Sequence, residues 1–540
     1  MTALDRLADG LGFVTSRPDC ATAAPHRSQP PQQGVSMRLR AQSLPLLLSA
    51  VSGIATLGCG IEAPYPVRLE HGEVEAAASR EDTARLGAAS GWDLCDTTAR
   101  LVRDIIPGAG HSHPQDLTHG NEVLLFSATD GVGGREPWLS SGVAPGTHPL
   151  LDVYSGGPGS DAGPFLQCGT TTYFAANDGV HGRELWKTDG STEGTELVKD
   201  ISPGGLGSDP EHLTFYDGVL YFTANDGVHG RELWRSDGTE EGTFLLRDFS
   251  TEGNLVSSHF ELVAGTNALY IKVNIFSPTD RQSSRVQLYR TDGASFVRLV
   301  DGSEENMLGD LTPVGDKLFF TWNFDAPQTR LYVTNGTSSW ARYVYTFIGA
   351  PLGMVAYKNK LFLSAATGAG GVDFELWRSD GTTSGTMRVK DIYPGRVPSQ
   401  PTNLTVVKDR LFFVADDGVH GRELWSSDGT SAGTRLHADI AVGALGSEPA
   451  ELTAVEEYLF FSAHTEAGGR EAWVSDTREP GVFEVQGIAP GSMHSDPSNF
   501  VRSGWDLYFV ASDSTDYGRE LRALRIRPAG MCDMSGNDGL

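Results

Sequence analysis

Basic residues are scarce in this chain of 540 residues. Its 42 lysines and arginines stand against 69 aspartates and glutamates, which gives a formal net charge of −27 at neutral pH. A surface with so large an excess of negative charge repels nucleic acids and anionic membranes. We therefore expect no nucleic-acid partner, while cations, basic surfaces and neutral glycans remain open.

Long apolar runs are missing too, because no stretch after residue 59 is long and apolar enough to span a bilayer. One short run, LPLLL at 44–48, follows the basic segment 37–40 and precedes small residues that end at Cys59. This order is typical of an export signal. Residues 56–59, TLGC, resemble the lipobox of bacterial lipoproteins, which implies lipidation of Cys59, although the leucine stands one place later than in most such boxes. Ordinary signal-peptide cleavage nearby is the alternative.

The composition around this signal divides the chain into five parts. Residues 1–36 hold no comparable pattern, and we expect a non-native or disordered leader ahead of a true start at Met37. Residues 37–59 are the predicted signal peptide, 60–96 a flexible stalk, 97–532 the folded body and 533–540 a disordered tail. The predicted location is the outer membrane or cell surface, as a lipoprotein, with a periplasmic or secreted protein as the alternative.

A phrase that ends in tryptophan recurs through the folded body at intervals of about 48 residues, a period typical of propeller blades or solenoid units. It is clearest as DGVHGRELW at 178–186, 226–234 and 417–425. The tryptophans, which we expect to pack between repeats, are Trp138, Trp186, Trp234, Trp377, Trp425 and Trp473. Three weaker units carry Tyr289, Tyr332 or Arg522 at the same position, so that the units number nine.

Each unit is predicted to form four short strands. In the unit of Trp234, residues 213–216 and 219–223 flank Asp217-Gly218, a dipeptide typical of a tight hairpin, and 232–235 and 243–249 follow as two more strands. Strand centres such as 411–413 are apolar on both faces, so both faces of the sheet must be covered. The sequence therefore predicts an all-β fold, a closed β-propeller of four-stranded blades, with nine blades and eight as the alternative.

The two ends of the array predict how the ring closes. Residues 100–105 copy a fourth strand but precede the first complete unit, whereas the last unit lacks its fourth strand. We therefore expect the amino-terminal strand to complete the last blade, which removes exposed sheet edges. If residues from 100 onward pair with the strand that ends near Ile526, then Cys95 and Cys532 become neighbours, and a disulfide between them is predicted. Two free thiols are the alternative.

The phrases at 184–190, 232–239, 375–382 and 423–430 resemble the bacterial ELWxxDGT-repeat proteins, some of which carry the label hyalin. The resemblance spans about residues 98–527, and the long phrase recurs in register. It implies an exported repeat protein of the cell envelope, without an assigned chemistry.

The turns between second and third strands should place the same polar residues around one rim of the propeller. These residues are Asp178, His181, Arg183, Glu184, Asp226, His229, Arg231, Glu232, Asp417, His420, Arg422 and Glu423. Oxygen donors on glycine-rich turns suit Ca²⁺ or a glycan. The structural interpretation has Arg and Glu pairing between blades, Asp capping its own turn and His packing beside it. We favour the structural interpretation, because a functional site seldom needs the same residues in most blades.

The units that depart from the pattern, 260–301 and 311–347, are free to carry a specific surface. Their candidate ligand-binding residues are Tyr270, Asn274, Phe276, Arg281, Arg285, Trp322 and Trp340. Aromatic and polar side chains of this kind stack on sugars or anchor proteins. The alternative is harmless divergence of these two units.

No catalytic residue is predicted, because the sequence contains no nucleophile, zinc or phosphate-binding motif in a distinctive context. The leading hypothesis is a non-enzymatic envelope propeller that binds a glycan, matrix component or envelope protein. The alternatives are a glycan hydrolase or lyase and a Ca²⁺-dependent adhesin. We predict no cofactor other than Ca²⁺, and the sequence identifies no metal-ligating residues. We also predict a monomer that contacts a membrane only through the lipid anchor.

Overall fold

The structure is a computed structural model that describes residues 92–250, 256–277, 284–303, 308–325, 327–336, 341–367, 373–477, 481–489, 494–513, 517–529 and 531–532. The predicted leader, signal peptide, most of the stalk and the tail lie outside the described residues. Within these ranges, no helix is long and apolar enough to cross a bilayer.

The described residues form nine antiparallel sheets, eight of four strands and one of five, arranged as the nine blades of a β-propeller. Two strands precede the first blade, β1 (Trp92–Leu94) and β2 (Arg100–Leu101). Blade 1 is β3 (Gln115–His119), β4 (Leu124–Thr129), β5 (Arg135–Ser140) and β6 (Thr147–Pro149), with a 3-10 helix at Ala144–Gly146. Blade 2 is β7 (Leu166–Cys168), β8 (Thr171–Asn177), β9 (Arg183–Thr188) and β10 (Glu196–Lys199). Blade 3 is β11 (Glu211–Tyr216), β12 (Val219–Asn225), β13 (Arg231–Ser236) and β14 (Phe244–Arg247).

The irregular units form complete blades as well. Blade 4 is β15 (Val256–Ala264), β16 (Leu269–Phe276), β17 (Arg285–Thr291) and β18 (Phe296–Ser303). Blade 5 is β19 (Leu308–Val314), β20 (Lys317–Asp325), β21 (Gln328–Thr334) and β22 (Arg342–Ile348). Blade 6 is β23 (Leu352–Tyr357), β24 (Lys360–Ala365), β25 (Glu375–Ser379) and β26 (Met387–Lys390).

The last three blades return the chain to its start. Blade 7 is β27 (Thr402–Val407), β28 (Arg410–Asp416), β29 (Arg422–Ser427) and β30 (Arg435–Ala438). Blade 8 is β31 (Ala450–Val455), β32 (Tyr458–Thr465), β33 (Gly469–Ser475) and β34 (Val482–Glu484). Blade 9 begins with β35 (Ser498–Ser503), β36 (Asp506–Ser512) and β37 (Arg519–Pro528). The prediction of nine blades is confirmed.

The amino-terminal strands complete blade 9, as the sequence predicts. Strand β2 pairs with β37 through Leu101 and Arg522, and Val102 N donates to Leu521 O at 3.0 Å. The remaining length of β37 pairs with β1, which lies within the segment 60–96 that the sequence predicts to be a stalk. A disulfide joins Cys95 to Cys532 beside this pairing.

The first strand of each blade lies innermost. Successive first strands contact one another, and β3 of blade 1 contacts β35 of blade 9, which closes the ring around a central channel. In the meander, the turns between second and third strands emerge on the same side as the linkers between blades. We call this side the linker face. The tight turns between first and second strands, and those between third and fourth strands, emerge on the opposite face.

Candidate functional site

The turn that carries Asp and His on the linker face is stabilised from within. Asp178 Oδ1 accepts hydrogen bonds from the backbone N–H groups of Val180 and His181, each at 2.8 Å, and Asp178 Oδ2 lies 2.6 Å from His181 Nδ1. The pairs Asp226–His229 and Asp417–His420 repeat this arrangement. The hydrogen bond to Asp178 raises the pKa of His181 above its ordinary value. The aspartate carboxylate therefore stabilises its own turn and binds the imidazole of the same turn.

The glutamate of each phrase ties its blade to the following linker. Glu184 is buried and accepts hydrogen bonds from the N–H groups of Ile201, Ser202 and Ser208 at 2.7–3.2 Å. Glu136, Glu375, Glu423, Glu471 and Glu520 bind their own linkers in the same way. With all these donors already engaged, the glutamates act as fixed links between blades.

The guanidinium of the arginine in each phrase donates hydrogen bonds to backbone carbonyl groups of the preceding linker. Arg231 Nη1 donates to Asp209 O at 2.7 Å, and Arg183 donates to the carbonyls of Asp161 and Gly163. Arg422 makes the equivalent bond to Gln400 O at 3.2 Å. The Arg and Glu of one phrase do not pair with each other, but the arginine also pairs with an acid of the following linker, as Arg422 does with Glu448 at 3.2 Å.

A second repeated motif, Ser-x-Pro-x-x-Leu-Thr, underlies these contacts and was missed in the sequence reasoning. It occurs at 112–118, 208–214, 399–405 and 447–453 and partly at 495–501. Its serine is the residue that the buried glutamate holds. The regular spacing of Ser and Pro before each predicted first strand was the signal that could have revealed it.

The motif places a ring of exposed polar side chains on the innermost strands. At its fifth position, or the equivalent position in blade 4, the backbone is left-handed, with φ between 50° and 58°. We call these residues the channel collar: Asp116, His212, His259, Asn403, Glu451 and Asn499. The six first strands that carry these residues shift register at this point, so each residue projects from a bulge near the linker face.

The threonine of the motif holds the bulge in place. Thr405 Oγ1 donates to Asn403 O at 3.1 Å and lies 3.2 Å from Leu452 O on the next first strand. Thr118 and Thr453 donate in the same way to the carbonyls of their own collar residues at 3.1 and 2.9 Å. Hydrogen bonds along and between the innermost strands therefore fix the backbone of the collar.

Desolvation and neighbouring arginines shift the pKa values of two collar residues. Desolvation, together with Arg231, lowers the pKa of His212 to about 4, so the imidazole is neutral at neutral pH. His212 Nδ1 lies 3.1 Å from Thr223 Oγ1. Desolvation raises the pKa of Asp116, and the charges of Arg135 and Arg183 oppose that rise. The collar thus combines neutral and acidic hydrogen-bonding groups.

The candidate ligand-binding residues of blades 4 and 5 do not share one surface. Tyr270 is buried in a core cluster, and Trp322 packs partly buried against the same cluster. Asn274 and Phe276 are half-buried on β16, and Arg285 on β17 is 58% exposed with Nη1 3.5 Å from Asp301 Oδ2. Arg281 and Trp340 lie outside the described residues.

Among the described residues, one acidic group has the spacing of a metal site. Asp373, Glu375 and Asp391 bring carboxylate oxygens within 4.8 Å of one another. The guanidinium of Arg388 already lies 3.5 Å from Asp373 and 3.1 Å from Asp391. Ile392 N also donates to Glu375. A cation would have to displace these partners, and Ca²⁺ binding stays a prediction from the sequence.

The buried glutamates predict that mild acid stabilises the protein. Desolvation raises the pKa values of Glu232, Glu471 and Glu520 from 4.5 to about 7. Such a carboxyl keeps its proton in the folded state where the unfolded chain releases it. Its contribution to stability is therefore full below about pH 4.5 and is lost as pH rises through 7. Thermal unfolding should give a higher Tm at pH 5.5 than at pH 8.

The variant Glu520→Gln isolates this effect, because it keeps an acceptor for Ser112 N while removing the titration. The difference in Tm between pH 5.5 and pH 8 should be smaller in the variant than in the original chain. Identical differences would show that Glu520 does not hold its proton in the folded state.

No protein-family model and no curated protein matches this chain. Solved structures do match, among them a puromycin hydrolase, with 15% identity over 71% of this chain and 61% of that chain and a TM-score of 0.36. A structure from a study of two prolyl endopeptidases shares 11% identity over 76% of this chain and 55% of that chain, with a TM-score of 0.40. A puromycin-hydrolyzing peptidase of Mycobacterium tuberculosis shares 12% identity over 65% and 58%, with a TM-score of 0.36.

These findings correct the functional hypothesis from the sequence. The solved structures are described as hydrolases and peptidases, so we withdraw the non-enzymatic envelope module together with its glycan-hydrolase and adhesin alternatives. This chain spans about three fifths of the length of the solved chains that it matches. At these identities and TM-scores the likeness assigns no activity to this chain.

Proposed function

We propose that this chain takes part in peptide hydrolysis, as a propeller that admits and holds peptide segments at its central channel. The observation that carries the proposal is the channel collar. Its side chains come from six of the nine blades, are exposed on the innermost strands and lie near the linker face. A chain that enters the channel from this face meets the collar first.

The chemistry of the collar suits a peptide better than a ligand of one charge. A peptide backbone alternates N–H donors with C=O acceptors, so a complementary ring must offer both kinds of group. Asp116 and Glu451 offer carboxylate acceptors, and Asn403 and Asn499 each offer an amide donor and acceptor. The neutral imidazole of His212 adds a group of either kind. A fixed ring of mixed groups can bind backbones of varied sequence.

The rigidity of the collar supports this role. The threonine hydroxyl groups fix the bulges, and the arginines and buried glutamates fix the linkers on either side. Groups that are ordered before binding lose little conformational freedom when a peptide arrives. The proposal agrees with the descriptions of the solved structures as hydrolases and peptidases, but it rests on the collar.

A peptide-binding measurement tests the proposal. The full chain should bind a fluorescein-labelled casein digest in fluorescence anisotropy, and mass spectrometry should follow whether the digest is cut. Asn403→Ala combined with Glu451→Ala removes hydrogen-bonding groups from adjacent blades. This double variant should weaken binding about thirtyfold, because each of the two lost hydrogen bonds contributes roughly 1 kcal/mol.

Glu241→Ala provides the matched control, because Glu241 is an exposed acid on the opposite face. Its affinity for the digest should equal that of the original chain. Equal affinities for all three proteins, or no binding by the original chain, would overturn the proposal.

Export, lipidation at Cys59 and a monomeric state stay predictions from the sequence.

A further inference from the structure

The most exposed apolar side chains of the propeller share one face. Of the large hydrophobic residues that the structure describes, seven are more than 60% exposed, and the next most exposed is Trp505 at 55%. All seven lie in turns between second and third strands or in linkers between blades: Val132, Val180, Leu206, Val228, Val419, Val442 and Leu445. We call them the linker-face tips.

The backbone beneath four of these tips is already hydrogen-bonded. The N–H groups of Val132, Val180, Val228 and Val419 each donate to the Oδ1 atom of the aspartate two residues earlier, at 2.8–2.9 Å. A backbone N–H that has its partner within the protein loses less when it leaves water. These turns can therefore move their valines into an apolar medium at a reduced cost.

The Asp–His pairs at three of the tips are arranged with the imidazole outward. The side chain of His181 is 38% exposed and that of Asp178 is 16% exposed. His229 and His420 are 43% and 34% exposed, against 14% and 17% for their aspartates. An imidazole beside Val180, Val228 and Val419 thus faces solvent. In its protonated form, which the neighbouring aspartate favours, its outer Nε2–H complements a phosphate group. This local pattern differs from the net charge of the whole chain.

The tips fall into two groups, one on the turns of blades 1–3 with the linker after blade 2, and one on the turn of blade 7 with the linker that follows it. A protein partner requires a continuous complementary area of about 1,000 Å². Small groups of aliphatic tips beside hydrogen-bonding groups meet the needs of a lipid interface instead, where apolar chains lie below phosphates. We propose that the linker face contacts the surface of a zwitterionic phospholipid bilayer through these tips. The excess of acidic residues elsewhere disfavours an anionic bilayer.

This inference goes beyond the proposed function and does not depend on it. It also departs from the expectation that only a lipid anchor would join the protein to a membrane. The tips and the channel collar lie on the same side of the ring, so a bilayer contact would place the collar close to the membrane surface.

Sedimentation with sucrose-loaded phosphatidylcholine vesicles tests the contact. The full chain is compared with the double variant Leu206→Asp and Leu445→Asp, which changes two tips that are 95% and 89% exposed. The amino-terminal segment is the same in both proteins, so the difference belongs to the tips. The partition coefficient should fall about tenfold in the variant. Binding to phosphatidylglycerol vesicles at low salt should be weaker than binding to phosphatidylcholine.

The control is Val143→Asp with Met387→Asp, two exposed side chains outside the linker face. This control should bind vesicles as the original chain does, and unchanged Tm values should show that all variants fold. Equal partition of the original chain and the tip variant would overturn the proposal. So would light scattering that shows a dimer of the original chain and a monomer of the tip variant, because the tips would then join two copies.

Discussion

Replacing Cys95 and Cys532 with serine should lower the free energy of unfolding by about 5 kcal/mol. The disulfide joins positions 437 residues apart, so it encloses nearly the whole propeller in one covalent loop. In the chain-entropy account, a crosslink stabilises by restricting the unfolded chain, and the effect grows with loop length. Urea unfolding of the double variant and of the original chain measures the difference.

A reductant provides the matched comparison for this prediction. Dithiothreitol should lower the stability of the original chain by the same amount and leave the double variant unchanged. Cys168 should not interfere, since it is a free, buried thiol whose pKa burial raises to about 12. Equal midpoints for the oxidised original chain and the variant would mean that strand pairing alone keeps the ring closed.

The closure has noncovalent support that makes this outcome informative. Trp92 N donates to Glu457 at 2.6 Å, and the guanidinium of Arg502 lies 3.7 Å from the centre of the Trp92 ring. Leu94 N also donates to the hydroxyl group of Tyr458 at 3.0 Å. Strand β1 therefore contacts both blade 8 and blade 9. The double cysteine variant keeps these noncovalent contacts, so it measures the effect of the disulfide alone.

Blade number and closure could be predicted from the sequence because they depend on periodicity. The spacing of the tryptophans gave the repeat, and the unpaired strand at 100–105 indicated where the ring closes. The same strand order then placed Cys95 beside Cys532, which the structure contains as a disulfide. These features follow from the order and spacing of the strands, so they can be predicted without knowing any side-chain contact.

The contacts of the repeated phrase could not be predicted in the same way. Arg183 and Glu184 are neighbours in sequence, yet one binds Asp161 O and the other binds Ser208 N in the next linker. Which partner each side chain reaches depends on the path of two linkers, and sequence spacing does not encode that path. The collar was missed for a related reason, because a left-handed bulge at Asn403 or Glu451 is visible only in the backbone.

Trp234→Ala should lower the free energy of unfolding by about 3–5 kcal/mol. Trp234 is 6% exposed and packs in a cluster with Leu185 and Val198 of blade 2 and with Leu220 of its own blade. Removing the indole leaves a cavity between two blades that the rigid sheets cannot fill by collapse. Urea unfolding measures the loss.

The matched control is Trp505→Ala, because Trp505 is 55% exposed on a tight turn of blade 9. Its removal should cost less than about 1 kcal/mol, since an exposed side chain leaves no cavity. In blade 9 an arginine takes the place of the tryptophan. Arg522 lies buried there, with its guanidinium 3.1 Å from Asp513. If Trp234→Ala and Trp505→Ala cost the same, the repeated tryptophan does not hold the blades together, and the buried glutamates and arginines of the linkers must do so instead.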